Sequence, residues 1–285
     1  MILSFHPCFD ADHHILLGDR ELGPSDHDLI QRAAAIILPQ GCSKSLYLAC
    51  RESPAEVFPD YGARFLYPGK VGQSLLFKKA GCPHPETSCW SDSAEFKRFL
   101  AQQSRYPHSL PFLIKMDGEH EGTGIFEVLD RNTLEKALEE VAARERRGRA
   151  GFLTQKQVAS KGNVLRVVIL GKRLISYWKR SRGGEQAVTT LAKGAVIDKE
   201  WRRDLQEKGR TEVASFSSFT GINLAAVDIV FDLDETDPLP LFLEVNYYFG
   251  RRGLGGTLNY YRLLYRAVRE WLEEKGLDPS RVRLC

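Results

Sequence analysis

Three oxygen-bearing side chains lie in two apolar segments towards the carboxyl end of the chain. Asp228 stands inside LAAVDIVFD, and Glu244 and Asn246 stand inside LFLEVNYYFG. Alternation along an extended strand puts Glu244 and Asn246 on one face, and three oxygen ligands converge if the strand of Asp228 is its neighbour. An incomplete set of hard oxygen donors is typical of Mg²⁺ held partly by phosphates. The alternative is an ion-pair network, since a buried carboxylate needs a partner.

A lysine followed by a glycine-rich turn occurs earlier, in LIKMDGEHEGTGIF. Lys115 is close to the end of an apolar segment, and Gly118, Gly122 and Gly124 let the backbone N–H groups of the turn point at an anion. This combination suits polyphosphate. It is not a Walker A loop, because no G-K-[ST] opens a helix after it. The alternative is a mobile hairpin with an exposed lysine.

Cations flank a predicted hairpin between these two regions. Arg166 lies near the start of its first strand, and Lys179 and Arg180 end its second. Because the two ends of a hairpin meet, we expect Arg166 and Arg180 at one locality, where an arginine pair can neutralise a transferring phosphoryl group or a developing acyl phosphate. The alternative is a solvated basic hairpin end.

The apolar patterns predict the elements that position these residues. In the first part we predict strands over 1–5, 45–49 and 64–67 and a helix that starts at 24–26 ahead of 29–37. Further on we predict helices over 70–80, 132–146, 199–208 and 260–274, and strands over 111–116, 125–129, 152–158, 164–170, 174–178, 224–231 and 240–245. Strands in hairpins with intervening helices predict an α+β fold, not a doubly wound parallel sheet.

Composition narrows the class of protein. The 285 residues are 43% hydrophobic, enough for a sizeable core, and the net charge of +3 gives no reason to expect nucleic acid or an anionic membrane as a partner. No apolar run approaches the roughly 20 residues of a membrane helix, and the N-terminus does not resemble a signal peptide. Six scattered cysteines without a C-x-x-C pair indicate reduced thiols in a cytoplasmic protein. The cluster of His6, Cys8, His13 and His14 lacks a second ligand pair at zinc spacing, so we interpret it as loop and edge residues.

Taken in order, these features resemble the ATP-grasp superfamily, nearest to the branch of ribosomal-protein glutamate ligases and glutathione synthetases. The order is a lysine-bearing helix, K-x-D-G-(x)-G-x-G, T-Q-x-x-V, an L-R-V-V-I-x-G-K hairpin, V-D-I and E-V-N, over roughly 69–256. The resemblance implies an ATP-grasp fold, in which two α+β subdomains sandwich a nucleotide, over 69–285. It also implies a short α/β unit of the pre-ATP-grasp kind over 1–68.

The resemblance also implies a role for each matching position. Those expected to contact the nucleotide are Lys70 and Lys115, the lid residues Gly118, Gly122, Thr123 and Gly124, and the adenine-framing Gln155, Lys156, Gln157 and Val158. Those expected to hold Mg²⁺ or Mn²⁺ are Asp228, Glu244 and Asn246, and those expected near an acyl phosphate are Arg166 and Arg180.

The implied activity is ATP- and Mg²⁺-dependent ligation of a carboxylate to an amine, or to a thiol, with release of ADP and phosphate. The expected partners are small-molecule or peptide carboxylate and amine substrates, and the sequence leaves open whether the protein is a homo-oligomer. One alternative is an ATP-dependent kinase on the same scaffold. Another is a nucleotide-binding regulatory module without catalysis.

Four features depart from the family pattern, and most of them lie on the substrate side. The segment 247–250 reads YYFG, where proline or serine is usual. The arginines that follow, Arg251 and Arg252, either bind an anionic substrate or form surface charge. The lid carries acidic residues at 119 and 121, and QAVTTLAKGAV replaces a segment rich in asparagine and glycine. The N-terminal unit, which normally contributes to the acceptor pocket, is short.

Overall fold

The structure is a computed structural model that describes residues 1–117, 124–149, 151–181 and 194–285. Three of the predicted lid residues, Gly118, Gly122 and Thr123, lie outside these described residues, as does most of the QAVTTLAKGAV segment. Within the described ranges, every helix is too short or too polar to cross a lipid bilayer.

The first part of the chain builds a small parallel sheet. Its strands and helices are β1 (Ile2–Ser4), β2 (Phe9–Asp10), β3 (His13–His14), α1 (Pro24–Arg32), β4 (Ala35–Ile37), α2 (Lys44–Arg51), β5 (Glu56–Phe58) and α3 (Gly62–Leu66). The strand order is β3-β1-β4-β5, and each neighbouring pair is parallel. Strand β4 is buried at every position, as expected for a central strand of a parallel sheet covered on both faces.

Two strands and one helix end predicted in this region are wrong. Residues 45–49 belong to α2, whose N-cap Ser43 accepts a hydrogen bond from Leu46 N at 3.2 Å. Residues 64–67 mostly belong to α3, and 35–37 form β4 and are not part of the preceding helix. Short apolar runs fit a buried strand and a buried helix equally well, so periodicity alone does not separate them.

The second part forms an antiparallel sheet with its own helices. Its elements are α4 (Gly69–Ala80), β6 (Thr87–Trp90), α5 (Ser93–Gln103), β7 (Phe112–Met116), β8 (Ile125–Val128), α6 (Arg131–Glu145) and β9 (Phe152–Lys156), with strand order β6-β9-β7-β8. Helix α4 ends at Gly81, whose φ of +67° suits glycine, as the sequence predicts. Helix α6 starts from Asp130 with Thr133 as its capping partner, not from the predicted Asn132 and Glu135.

The third part forms the largest sheet. Its elements are β10 (Val164–Leu170), β11 (Arg173–Arg180), β12 (Val196–Asp198), α7 (Arg203–Thr220), β13 (Leu224–Val230), β14 (Leu241–Asn246), α8 (Thr257–Glu274) and β15 (Arg283–Leu284). Short 3₁₀ turns cover Arg252–Leu254 and Pro279–Arg281. The strand order is β12-β11-β10-β13-β14, antiparallel throughout, and β15 pairs with β2. The predicted α+β class, with strands in hairpins, is confirmed.

Alternating residues of β10 pack on opposite layers. Leu165 and Val167 belong to a core that includes Leu205 and Val213 of α7. Val168 belongs to a second core, formed with α8 and with residues of the first sheet. Residues at even positions of β10, including Arg166, therefore lie on the α8 side of the sheet.

Candidate active site

Asp228 lies in the middle of the large sheet and is paired with two cations. It is 2% exposed and stands opposite Arg166 on β10 and Glu244 on β14. Arg166 donates from Nε to Oδ1 and from Nη2 to Oδ2, both at 2.7 Å, and Lys179 Nζ donates to Oδ2 at 2.8 Å. Burial alone would raise the pKa of Asp228, but the charges of Arg166 and Lys179 hold that pKa well below its usual range.

Glu244 and Asn246 lie on the same face as Asp228, and the Asn246 amide joins the two carboxylates by hydrogen bonds. Asn246 Nδ2 donates to Glu244 Oε1 at 3.1 Å and to Asp228 Oδ2 at 3.3 Å. Glu244 and Asn246 are half-buried, whereas Asp228 is buried. The structure therefore brings the three side chains together, as alternation on two neighbouring strands predicts.

The donor chemistry of this trio suits Mg²⁺, but its members are not equivalent. Both oxygens of Asp228 already accept from cations, which is the arrangement of the ion-pair alternative. The Glu244 carboxylate is bonded to a neutral amide, so Glu244 and the amide oxygen of Asn246 are the better candidates for a cation that keeps water and phosphate ligands. Across the described residues, no three histidine, cysteine, aspartate or glutamate side chains are placed to hold a metal by themselves.

Arg180 does not share the locality of Arg166, and that prediction is wrong. Arg180 Nη1 bonds Asp198 Oδ2 at 2.9 Å, and its guanidinium lies 4.4 Å from the ring centroid of Trp201. Consecutive strand residues point to opposite faces, so Arg180 lies on the α7 side. Lys179, and not Arg180, shares the locality of Arg166, because both Lys179 and Arg166 bond to Asp228. The hairpin register, which sets Arg166 opposite Tyr177, gives the signal that selects Lys179.

Lys115 and Gln155 form the polar part of the second sheet. Lys115 is 8% exposed, and its Nζ donates to Gln155 Oε1 at 2.6 Å. Gln155 in turn donates from Nε2 to Thr87 Oγ1 at 2.9 Å. Burial lowers the pKa of Lys115 to about 8, against the attraction of Glu244, and the charge of Lys70 lowers it further. The two lysines and Glu244 thus interact electrostatically across the space between the two sheets.

Lys70 starts helix α4 and is attached to the end of β7. Its Nζ donates to the Met116 carbonyl at 3.2 Å, and its backbone N–H donates to Asp117 Oδ1. The same carboxylate accepts from Val71 N at 3.4 Å. The Met116 N–H donates to the carbonyl of Gly124 at 2.8 Å, and Gly124 has φ +66°. Residues 70 and 115 therefore lie beside the turn in which the lid is predicted.

The segment after β9 contains a buried hydrogen-bond acceptor to which no described residue donates. Among the described residues, Gln157 Oε1 is buried and has no hydrogen-bond partner. Lys156 is exposed and alternates away from Gln155, and the carbonyl of Val158 accepts from Ser160 N at 2.7 Å. A buried orphan acceptor loses free energy until a ligand donor satisfies it. Together with Lys70 and Lys115, this feature fits a nucleotide with its base at Gln157 and its phosphates at the lysines.

Gln73 is a positioning residue that the sequence does not reveal. Its side-chain amide donates to the Val245 carbonyl at 2.9 Å and accepts from Val245 N at 2.8 Å. The two bonds join α4, which carries Lys70, to β14, which carries Glu244 and Asn246. Only the folded chain brings these positions together, and no local pattern marks Gln73.

Raising the pH through about 8 is expected to weaken ATP binding. Because the pKa of Lys115 is about 8 in the free protein, Nζ loses its charge above that pH and with it a charge-assisted contact to phosphate. The affinity should fall by up to about tenfold per pH unit above about 8. The free energy of unfolding changes in the opposite direction and rises with pH above about 8, because the unfolded chain keeps this proton to a higher pH than the folded protein does. Calorimetric titration with a non-hydrolysable ATP analogue from about pH 7 to 9.5 measures the affinity.

The matched variants are Lys115→Ala and Lys78→Ala, since Lys78 is an exposed lysine of α4. Lys115→Ala should weaken binding by about 1.5–3 kcal/mol at pH 7 and remove the fall above pH 8. Lys78→Ala should behave as the wild type. An affinity that is independent of pH in the wild type, or unchanged in Lys115→Ala, would refute the contact.

No protein-family model and no curated protein matches the chain. Solved structures do match. A RimK domain ATP-grasp protein from Sphaerobacter thermophilus is 17% identical over 89% of each chain, with a TM-score of 0.58. An N5-carboxyaminoimidazole ribonucleotide synthetase, solved as its ADP complex, is 13% identical over 85% of this chain, with a TM-score of 0.59. A D-Ala:D-Ser ligase from Enterococcus faecalis is 16% identical over 82% of this chain and 72% of its own, with a TM-score of 0.58.

These similarities show the fold. The protein has the ATP-grasp fold, as the order of motifs from Lys70 to Asn246 predicts. The chain spans 60% of the length of the carboxyaminoimidazole ribonucleotide synthetase that it matches.

Proposed function

We propose that the protein is an ATP-dependent ligase that activates a carboxylate as an acyl phosphate and transfers the acyl group to an amine. The observation that carries this proposal is the arrangement of opposed charges between two sheets. Lys115 lies on the second sheet and interacts with Glu244 on the large sheet, where Asn246, Arg166 and Lys179 surround the same carboxylate pair. Polyphosphate and a divalent cation need this combination of cations and oxygen donors.

Each group has a proposed part in binding. Lys70 and Lys115 hold phosphate oxygens, and Gln157 accepts a hydrogen bond from the adenine amino group. Glu244 and Asn246 would hold Mg²⁺ or Mn²⁺, which when bound would neutralise negative charge on the phosphates. The Asp228 carboxylate keeps Arg166 and Lys179 in place, so that two cations face the neighbouring Glu244 carboxylate.

The reaction then has two displacements. A carboxylate oxygen of the substrate attacks the γ-phosphorus, the bond to the β-phosphate oxygen breaks, and ADP leaves. Arg166 and Lys179 stabilise the negative charge on the transferred phosphoryl group. An uncharged amine attacks the carbonyl carbon, phosphate leaves with the electrons of its bond, and the amine loses a proton. The protein mostly positions the reactants and excludes water from the acyl phosphate.

A product assay tests the proposal against the kinase alternative. Purified protein with ATP and Mg²⁺ is incubated with pools of amino acids and peptides, and hydroxylamine is added as a trapping amine. A ligase releases ADP and inorganic phosphate in equal amounts and forms a hydroxamate. A kinase forms ADP without free phosphate, and release of AMP and pyrophosphate would contradict an acyl phosphate.

A second candidate is a nucleotide-binding regulatory module without catalysis. The pairing of Asp228 with Arg166 and Lys179 favours it, because that carboxylate is compensated within the protein. Calorimetric titration with a non-hydrolysable ATP analogue, with and without Mg²⁺, separates the two. The ligase binds the analogue more tightly with Mg²⁺, and the module binds it equally well without the metal and yields no ADP.

A further inference from the structure

Arg251 is a half-buried cation that lies over two neighbouring aromatic rings. It follows β14 and lies just before the 3₁₀ turn Arg252–Leu254. Its guanidinium carbon is 4.8 Å from the ring centroid of Tyr260 and 4.6 Å from that of Tyr261, both on α8. In the part of the chain that the structure describes, Arg251 forms no ion pair. A guanidinium that lies over aromatic rings and has no carboxylate partner among the described residues is a preorganised receptor for a planar anion.

The position of Arg251 connects it to the carboxyl edge of the first sheet. Tyr260 donates from its hydroxyl to Gln40 Oε1 at 3.0 Å, and Gln40 donates to the carbonyl of Tyr247 at 3.3 Å. Gln40 comes directly after β4 and its turn, and His6 comes after the neighbouring β1. Burial and, next, the charge of Arg251 lower the pKa of His6 to about 4, so His6 is neutral near neutral pH. Ligands of open parallel sheets bind outside this edge.

The loop that carries Arg251 also packs on the strand beside the Asp228 network. A Cβ atom on Gly253 would lie 2.1 Å from Cζ of Tyr177. The backbone is therefore so close to the ring that only glycine fits at this position. Tyr177 is opposite Arg166 in the hairpin and is fully buried. The loop of Arg251 therefore contacts the strand that faces Arg166, and the ring of Tyr260 connects Arg251 to the edge of the first sheet.

An exposed aromatic ring completes this region. Tyr248 is 76% exposed, and its ring lies 3.3 Å from the position of a Cβ on Gly41. Gly41 follows Gln40, so Tyr248 belongs to the same edge as the Arg251 contacts. A large exposed ring at the edge to which the Arg251 contacts lead suits a ligand with a carboxylate and an apolar side chain.

We propose that Arg251 binds the free α-carboxylate of an amino-acid or peptide substrate, and that Tyr248 packs on the side chain of that residue. The inference rests on the proposed ligase function and names the class of the amine substrate. Holding this carboxylate at Arg251 keeps it away from the γ-phosphate, so that the other carboxylate is activated. The second arginine, Arg252, is exposed and lies over no aromatic ring of the described residues, so it is not assigned this role.

Binding of matched acid and amide probes tests this. L-Phenylalanine and L-alanyl-L-phenylalanine are titrated calorimetrically against the wild type, beside their C-terminal amides, in the presence of a non-hydrolysable ATP analogue and Mg²⁺. We expect at least one acid to bind more than tenfold more tightly than its amide. Arg251→Gln should remove that difference, Arg251→Lys should restore part of it, and Arg252→Gln should leave it unchanged.

The outcomes separate this inference from the ligase proposal. The affinity for the ATP analogue should be the same in Arg251→Gln and in the wild type, and unchanged melting temperatures show that the variants fold. Equal binding of acid and amide, failure of both acids to bind, or an unchanged preference in Arg251→Gln overturns the inference. Loss of analogue binding in the wild type would instead count against the proposed function, and acid binding measured without nucleotide would still decide the role of Arg251.

Discussion

Glu244→Ala is expected to abolish Mg²⁺-dependent ATP turnover and to leave the fold intact. Glu244 is half-buried, and its carboxylate is bonded to the neutral Asn246 amide, while the buried Asp228 is compensated by cations. Removing it deletes the best placed oxygen donor for the metal without stranding a buried charge. We expect a fall in turnover of more than about 100-fold, beyond what loss of an outer-shell partner costs.

The measurement is ADP release as a function of Mg²⁺ concentration, with circular dichroism and thermal unfolding as folding checks. Glu235→Ala is the matched control, because Glu235 lies in the exposed acidic turn between β13 and β14. That control should turn over at the wild-type rate. Turnover near the wild-type level in Glu244→Ala would refute the metal role.

Asp228→Asn is expected to be the most destabilising of the conservative substitutions at this site. It leaves Arg166 and Lys179 close together, both largely buried, without the carboxylate that compensates them. Breaking a buried ion pair from one side costs about 3–5 kcal/mol of the free energy of unfolding. Urea unfolding followed by fluorescence of the buried Trp178 measures the change.

Asp237→Asn is the control, since Asp237 pairs with Lys208 at an exposed site. This substitution should lower the free energy of unfolding by about 1 kcal/mol or less.

The pH dependence of the free energy of unfolding gives a second check. The pKa of Asp228 is depressed in the folded state, so its stabilisation is complete above the unfolded value of about 3.9 and is lost as the pH falls below it. Equal stabilities of the two variants, or an unchanged acid limb in Asp228→Asn, would contradict a stabilising network.

Sequence and structure agree on strands β10, β13 and β14. They have 7, 7 and 6 residues, lengths typical of strands and too short for most helices, and alternation on β14 alone places Glu244 and Asn246 on one face. The sequence predicts a strand where helix α2 forms, because the apolar run at 45–49 is short. Only the packing of these residues in the core identifies the segment as a helix.

The cations of the site depend on register, and register is set by the whole sheet. Choosing Lys179 over Arg180 requires knowing that Arg166 is opposite Tyr177, because a shift of one residue reverses the faces. The pairing of Gln73 with Val245 joins residues far apart in the chain and leaves no local pattern. The stacking of Arg251 on Tyr260 and Tyr261 depends on how α8 returns beneath the loop after β14.

The distribution of the hydrophobic cores determines which parts of the molecule can open separately. Two cores mix residues of the first sheet with residues of the large sheet, and the third contains only the second sheet with α5 and α6. A local fluctuation that lifts the second sheet therefore exposes no apolar surface of the other two cores. Its free energy can lie below that of global unfolding. The sheet that carries Lys115 is therefore expected to open more readily than the sheet of Asp228 and Glu244, which shares its cores with the first sheet.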